Sequence, residues 1–405
     1  MKTRNAILLA SAACFIAGAA YAAAKPKAKQ PAHAARANAI AFKFYAKEAA
    51  KPGNLFFSPY SVYTAFAMAY EGAKGKTATE IASVFSFQPK TADLRASLAA
   101  LNRDLAAATR EAEFKQANSF WAQQDYKFLP AYLNTLRGTY RAEARQADFK
   151  NKTEEARAMI NGWTEGQTNG RIKDLFPPGG LDALSRLVLV NAVYFKGKWV
   201  TTFNKELTFD GDFNKADGTQ VKVRMMSAPQ PEPGLYFADE ELQALRLPYK
   251  GGLSMLVLLP RKGGKGLPGL EGELSEKKLA AVRAGLSEQK VKVFIPRFTF
   301  SSGFSLNGAL AALGMPTAFT DGADFSGMDG SKKLYIQKAF HKAFVEVNEE
   351  GTEAAAATGI AMGVKSMPMF DVAVFRADRP FLFFIEDPKT GLILFMGRVE
   401  DPTRQ

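Results

Sequence analysis

The sequence predicts an α+β fold. Helical periodicity dominates the first part of the chain, extended apolar runs dominate the rest, and the two do not alternate as a βαβ arrangement requires. With 405 residues, 47% of them hydrophobic and 12% aromatic, the chain has ample material for a large core. Length alone would allow two or three domains. However, no Pro/Gly/Ser linker divides residues 37–405, and GGKGLPGLEG at 263–272 reads as a surface loop between a strand and a helix.

The first element is a leader. Lys2 and Arg4 precede the apolar run AILLASAACFIAGAA, and Ala20-Tyr21-Ala22 offers small residues for cleavage. Residues 1–22 therefore read as a secretory signal, and the mature protein is expected to be secreted or periplasmic. That run is too short for a membrane span, and no later segment reaches about eighteen apolar residues. The only cysteine, Cys14, lies inside it, so the mature chain would have no disulfide and no thiol chemistry. Residues 23–37 read as a basic, disordered Pro/Ala/Lys stretch. Residues 1–36 hold six Lys/Arg and no acid, which leaves 47 basic and 40 acidic residues from a total formal charge of +13. A mildly basic globule results, with no stripe suited to nucleic acid.

From residue 38 the pattern is helical. ANAIAFKFYAKEAA has apolar residues at helical spacing. NLFFSPYSVYTAFAMAYEGA reads as a Ser-Pro-started helix, apolar nearly all round and therefore buried. Further helices are expected at 77–86, 91–109, 126–137 and 151–168. In the 91–109 helix, Arg95 and Arg103 with nearby Arg110 are balanced by Asp93 and Asp104, an ordinary solvated face. Strand-like runs follow: LVLVNAVYF, VKVRMM, LQALRLPY, LSMLVLLP and VKVFIPRFTF, interrupted by the helix pair SEKKLAAVRAGL and SLNGALAALG. The carboxy-terminal part, KLYIQKAFHKAFVEVNEE, MFDVAVF, FLFFIED and LILFMGRV, is β-like throughout.

Enzymatic chemistry has little material. The chain has two histidines, His33 in the leader and His341 among Phe340, Phe344 and Val345, and it contains no G-x-S-x-G, H-E-x-x-H or C-x-x-C. Residues 264–269 match the dinucleotide fingerprint literally, but Pro268 and the extra glycines spoil the helix start that should receive a pyrophosphate. No cofactor and no metal are expected. A buried His341 needs hydrogen-bond partners, which would make it a latch between elements.

The stretch EEGTEAAAATGIAMGVKSMP at 349–368 stands apart, because it has little to bury. Laid out as a strand, it sends Thr352, Ala354, Ala356, Thr358, Ile360, Met362 and Val364 to one face. The other face takes Glu353, Ala355, Ala357, Gly359, Ala361 and Gly363. The first face is small to apolar, the second small or charged. An alanine-rich helix limited by Gly359 and Gly363 is the alternative, and composition leaves both open.

The chain from residue 38 to 402 resembles the serpins. The carriers are NLFFSPYSVYTAFAMAYEGAKGKTATEI, NAVYFKGKW, MMSAP, LPYKGGLSMLVLLP, VFIPRFTF, HKAFVEVNEEGTEA, ADRPFLFFI and FMGRV, which occur in the family's order. The resemblance implies one domain of three β-sheets and eight or nine helices with an exposed reactive-centre loop at about 349–370. It implies a suicide-substrate inhibitor of serine proteases, a monomer rather than an enzyme. The cleaved loop would insert in the central sheet and trap the acyl-enzyme. Glu349, Glu350, Gly351, Thr352 and Glu353, then Ala354 to Ala357 and Thr358, correspond to the loop hinge. The resemblance puts the scissile bond at Lys365–Ser366, which favours a trypsin-like target. A site shifted to Met362 or Met367 would suit elastase-like proteases or others, cysteine proteases included. Ser58, Ser61, Asn191 and His341 correspond to a cluster under the sheet, and Trp199 to the place where insertion begins. The alternative is a non-inhibitory relative acting as a chaperone or binding module.

Overall fold

The computed structural model describes residues 30–228, 231–352 and 372–404. The first helix, Ala32–Glu48, begins inside the stretch read as a leader. Ala34, Ala37, Ile40, Ala41 and Phe44 form its buried stripe, so residues 32–36 have apolar partners and are not a solvated tail. NLFFSPYSVY divides in two. Leu55–Phe57 is a strand, Ser58 caps the next helix by accepting from Ser61 N at 3.0 Å, and Pro59–Gly72 runs buried on all sides. Proline at the first helical position forfeits only an amide that the helix would not have used.

Two hydrogen-bonded sheets organise the rest. The six-stranded sheet runs, in spatial order, Phe298–Ser305, Lys338–Asn348, Gly351–Thr352, Leu187–Lys198, Glu113–Gln123 and Glu143–Ala147. Its Leu187–Lys198 strand is buried on both faces from Leu187 to Phe195, where Asn191 alone interrupts the apolar residues. The larger core lies between one face of this sheet and the ten-stranded sheet with its helices. Helix Thr153–Gln167 covers the other face through Trp121, Ile160, Val188 and Val190.

VKVFIPRFTF supplies both sheets. Ser287–Pro296 belongs to the ten-stranded sheet, Phe298–Ser305 to the six-stranded one, and Arg297 is the junction. The three sheets expected form two networks here. Ser287–Pro296 pairs with Glu232–Ala238 along its first half and with Gln220–Ser227 at its end, and so joins two sheets into one. Ten α-helical segments occur among the described residues where eight or nine were expected, the difference being short segments such as Ser326–Asp329. GGKGLPGLEG is also not only a loop, since Gly266–Glu273 is helical.

Candidate functional site

The strands Lys338–Asn348 and Leu187–Lys198 are parallel neighbours, paired from Lys338 opposite Val188 up to Phe344 opposite Tyr194. Beyond that point they part, and Gly351–Thr352 lies between them, antiparallel to both. Thr352 stands opposite Val347 and Gly197, and Gly351 stands opposite Asn348 and Lys198. Gly351 has φ +150°, and a Cβ there would sit 2.0 Å from the Gly197 carbonyl oxygen, so backbone approach excludes every other residue.

Thr352 is 1% exposed, and its hydroxyl lies 2.7 Å from that of Tyr249. Burial raises the Tyr249 hydroxyl far above its ordinary pKa, so it stays neutral beside the threonine. Its ring stacks on Trp199 at 4.3 Å and 12°. Trp199 in turn holds the turn between the strands: Nε1 donates to the Asn348 carbonyl at 3.0 Å, and the backbone N to that of Glu350 at 2.9 Å. Glu349 is buried, yet Arg297 Nε donates to its carboxylate at 2.7 Å and the Thr208 hydroxyl also donates. Burial pushes that carboxyl up, but the Arg297 and Thr208 hydrogen bonds outweigh it and hold the group below the ordinary range. Glu350 pairs with Lys205.

Further down the same pair of strands, Asn191 and His341 are opposite one another. Asn191 accepts from the imidazole at Nδ1 and donates to the Ser61 hydroxyl at 2.6 Å and to Asn118. Gln116 Nε2 donates to the same serine at 3.0 Å. Ser58 N donates to His341 Nε2 at 3.1 Å, and Ser58 Oγ donates to the Leu394 carbonyl at 2.6 Å. Since Nε2 must accept from an amide, the proton sits on Nδ1. Full burial pushes the His341 pKa down to about 3, so the ring stays neutral. Ser58, Ser61, Asn191 and His341 thus form one network, while Trp199 lies further along the strands, against Tyr249 and the 348–350 turn.

Several partners went unnoticed in the sequence. Tyr249 and Arg297 sit inside quoted motifs, LPYKGG and VFIPRFTF, but nothing local marks them as neighbours of residue 349 or 352. Asn118 and Gln116 come from Glu113–Gln123, a strand too polar to be predicted as one. Arg95 is not an ordinary solvated residue either. Its Nε and Nη2 hold the buried Glu71 at 2.8 and 2.7 Å, with Tyr140 as a third partner. Glu353, Ala354, Ala355, Ala356, Ala357, Thr358, the bond Lys365–Ser366 and the alternatives Met362 and Met367 lie outside the described residues, as does the segment 1–22.

Comparison with known proteins gives the family. The serpin (serine protease inhibitor) profile matches residues 35–402. Mouse leukocyte elastase inhibitor A is 40% identical over 363 residues, 88% of this chain and 95% of that protein. An uncharacterised serpin-like protein of Thermococcus kodakarensis is 40% identical over 372 residues, 90% of this chain and 84% of its own length. The crystal structure of a highly specific serpin from the insect Tenebrio molitor superposes with a TM-score of 0.82 at 30% identity, covering 91% of this chain and 98% of that one.

These relatives also correct the expected location. A secreted or periplasmic protein was inferred from residues 1–22, yet the leukocyte elastase inhibitors are matched over nearly all of their length and the family match starts at residue 35. The inference rested on a cationic start and an alanine-rich run, a bias of composition alone, and the relatives overturn it. Among the described residues no helix is long and apolar enough to cross a membrane. From the matched profile, the identity and the shared fold together, the chain belongs to the serpin family.

Proposed function

We propose that this protein inhibits a serine protease as a suicide substrate, with Lys365–Ser366 as the bond offered and a trypsin-like enzyme as the target. One observation supports the mechanism above the others. Gly351–Thr352 already sits between two strands that are otherwise direct parallel partners, in the orientation that a longer insert would need. Cleavage beyond this point would free the segment to continue downward. The same register would bring Thr358 opposite Asn191 and His341, and the face carrying Thr352, Ala354 and Ala356 would meet the larger core.

Continuing exchanges one parallel ladder for two antiparallel ones, and each added hydrogen bond contributes about 1 kcal/mol net. The uncleaved form is then held kinetically while a lower state exists. A protease joined to the segment as its acyl-enzyme would be carried along, and it loses the geometry it needs for deacylation. Lysine before the cut bond fits the acidic pocket of a trypsin-like protease. The leukocyte elastase inhibitors are similar in sequence, and an elastase-like target would follow if the cut fell at Met362.

The test is incubation with trypsin, then denaturing electrophoresis and mass determination of the released carboxy-terminal peptide. The expected result is a denaturant-resistant adduct and a peptide beginning at Ser366. Complete turnover with no adduct would sink the inhibitory reading, and a different first residue would move the bond.

A further inference from the structure

The strand Ala373–Arg376 runs parallel to Ser287–Pro296, with Lys292 opposite Val374 and Phe294 opposite Arg376. Side-chain alternation divides the pair into two faces. Val291, Val293, Ile295 and Phe375 are buried on one of them. On the other, Lys290 and Lys292 are exposed and Val374 is 48% exposed. Phe209 brings a partly exposed ring to the same side, edge to face with Phe294 at 6.1 Å.

The cations on this face are fixed but not neutralised. The Arg376 guanidinium lies 4.2 Å from the Phe294 ring centre and 5.9 Å from that of Phe209, and Lys292 Nζ lies 5.5 Å from Phe294. An aromatic face orients a cation and leaves its charge in place. Lys290, Lys292 and Arg376 have no ion-pair partner among the described residues. Asp210 and Asp212 are committed to Arg224 and Lys222, at 2.9 and 2.7 Å. Glu288, one pleat beyond Lys290, is the carboxylate that Ser287–Pro296 carries, so three cations face one acid.

The face adjoins the end of the loop. Lys365 precedes Ala373 by eight residues, which is at most about 29 Å of chain. A protease domain of about 220 residues has a radius of about 22 Å, so the flank of one gripping Lys365 can reach this face. Arginine and aromatic side chains are those that interfaces favour, and cations already held on rings cost little to immobilise on contact. We propose that this face docks against an acidic surface flanking the active-site cleft of the target protease and speeds its capture. The contact, which rests on the inhibitory reading above, selects among proteases of one cleavage specificity by the charge of their surface. Charges at the rim of a contact act chiefly on the association rate, and salt weakens them.

The test compares anionic and cationic trypsin, two probes of one cleavage specificity and opposite net charge. Inhibition rates are measured for the parent and for the triple variant Lys290→Glu, Lys292→Glu, Arg376→Glu. With anionic trypsin at about 0.05 M salt, the variant should be at least about ten-fold slower. The difference should shrink to under about three-fold at 0.5 M, and cationic trypsin should be captured no more slowly by the variant than by the parent. Because Arg376 is half-buried, the pair Lys290→Glu, Lys292→Glu is measured as well. It should keep the parent's melting temperature and change the rates in the same direction. Unchanged rates, or an equal loss with both trypsins, overturn the docking face. If rates hold while retention on heparin falls, the face belongs to a polyanion and the protease contact is overturned. The adduct and the peptide beginning at Ser366 report the inhibitory reading separately. Should no adduct form, binding to anionic trypsin with its active-site serine replaced by alanine decides: salt-sensitive binding lost in the variant supports the face, and absent or equal binding overturns it.

Discussion

Thr352 is where a single side chain decides most. It is buried, uncharged and bonded to Tyr249, and it is the last described residue before the loop. An arginine there could not keep its hydration between the strands, where Thr352 already lies in the uncut chain, and seating it as the rest of the segment follows would cost several kcal/mol. Thr352→Arg is expected to turn an inhibitor into a substrate. Trypsin should still cleave the chain, and the stable adduct seen on denaturing gels should fall to a trace. Persistence of the adduct would mean that trapping does not need residue 352 seated between the strands.

His341 carries a pH dependence. Its folded pKa is about 3 against an ordinary value of 6.5, because the charged form would lose its hydration. Below pH 6.5 the unfolded chain takes up a proton that the folded chain refuses, so stability falls as pH drops. The loss should run at up to about 1.4 kcal/mol per pH unit and level off near pH 3, where the folded form protonates too. Above pH 6.5 this residue contributes no slope. Urea midpoints measured from pH 7.5 to 4.5, for the parent and for His341→Gln, should show a shallower decline in the variant. Parallel profiles would contradict the neutral, fully buried imidazole.

Among the elements, the turn at 348–350 is held by side chains from distant segments. Glu349 is bonded by Arg297 and Thr208, and Trp199 holds the Asn348 and Glu350 carbonyls. Glu349→Ala leaves a buried hydroxyl and a guanidinium short of an acceptor, and should lower stability by about 2 kcal/mol. Chemical denaturation would read this, and a change below about 0.5 kcal/mol would mean that the pairs form mainly in water. Lys365 is the residue proposed to precede the cut bond. Lys365→Ala should abolish trypsin inhibition at least a hundred-fold, with no shift in the melting temperature of the uncut protein. Trypsin inhibition retained at the parent's level would move the specificity residue elsewhere.

At the scale of the whole molecule, the parallel strands Lys338–Asn348 and Leu187–Lys198 hold the two-residue strand Gly351–Thr352 between their ends. If cutting the loop lets that strand grow, the clipped protein gains ladder bonds and buried alternate side chains that the intact one lacks. Its melting temperature should then exceed that of the intact chain by at least about 10 °C. Calorimetry on both forms is decisive, because coincident transitions would leave the gap without a function.

Local pattern was enough for the α+β class, the buried Pro59–Gly72 helix and the core strands from 187 onward, since their periodicity or apolar runs are properties of neighbouring residues. Motif order was enough for the family. Pairing across the chain was not legible. The polar strand Glu113–Gln123, the splitting of VKVFIPRFTF between two sheets, and the partners of Glu349, Thr352 and Arg95 depend on contacts between residues far apart in sequence, which only packing creates. The expectation of a disordered stretch fails at residues 32–37 for a related reason: composition describes a segment alone, whereas helix Ala32–Glu48 is defined by the surface it covers.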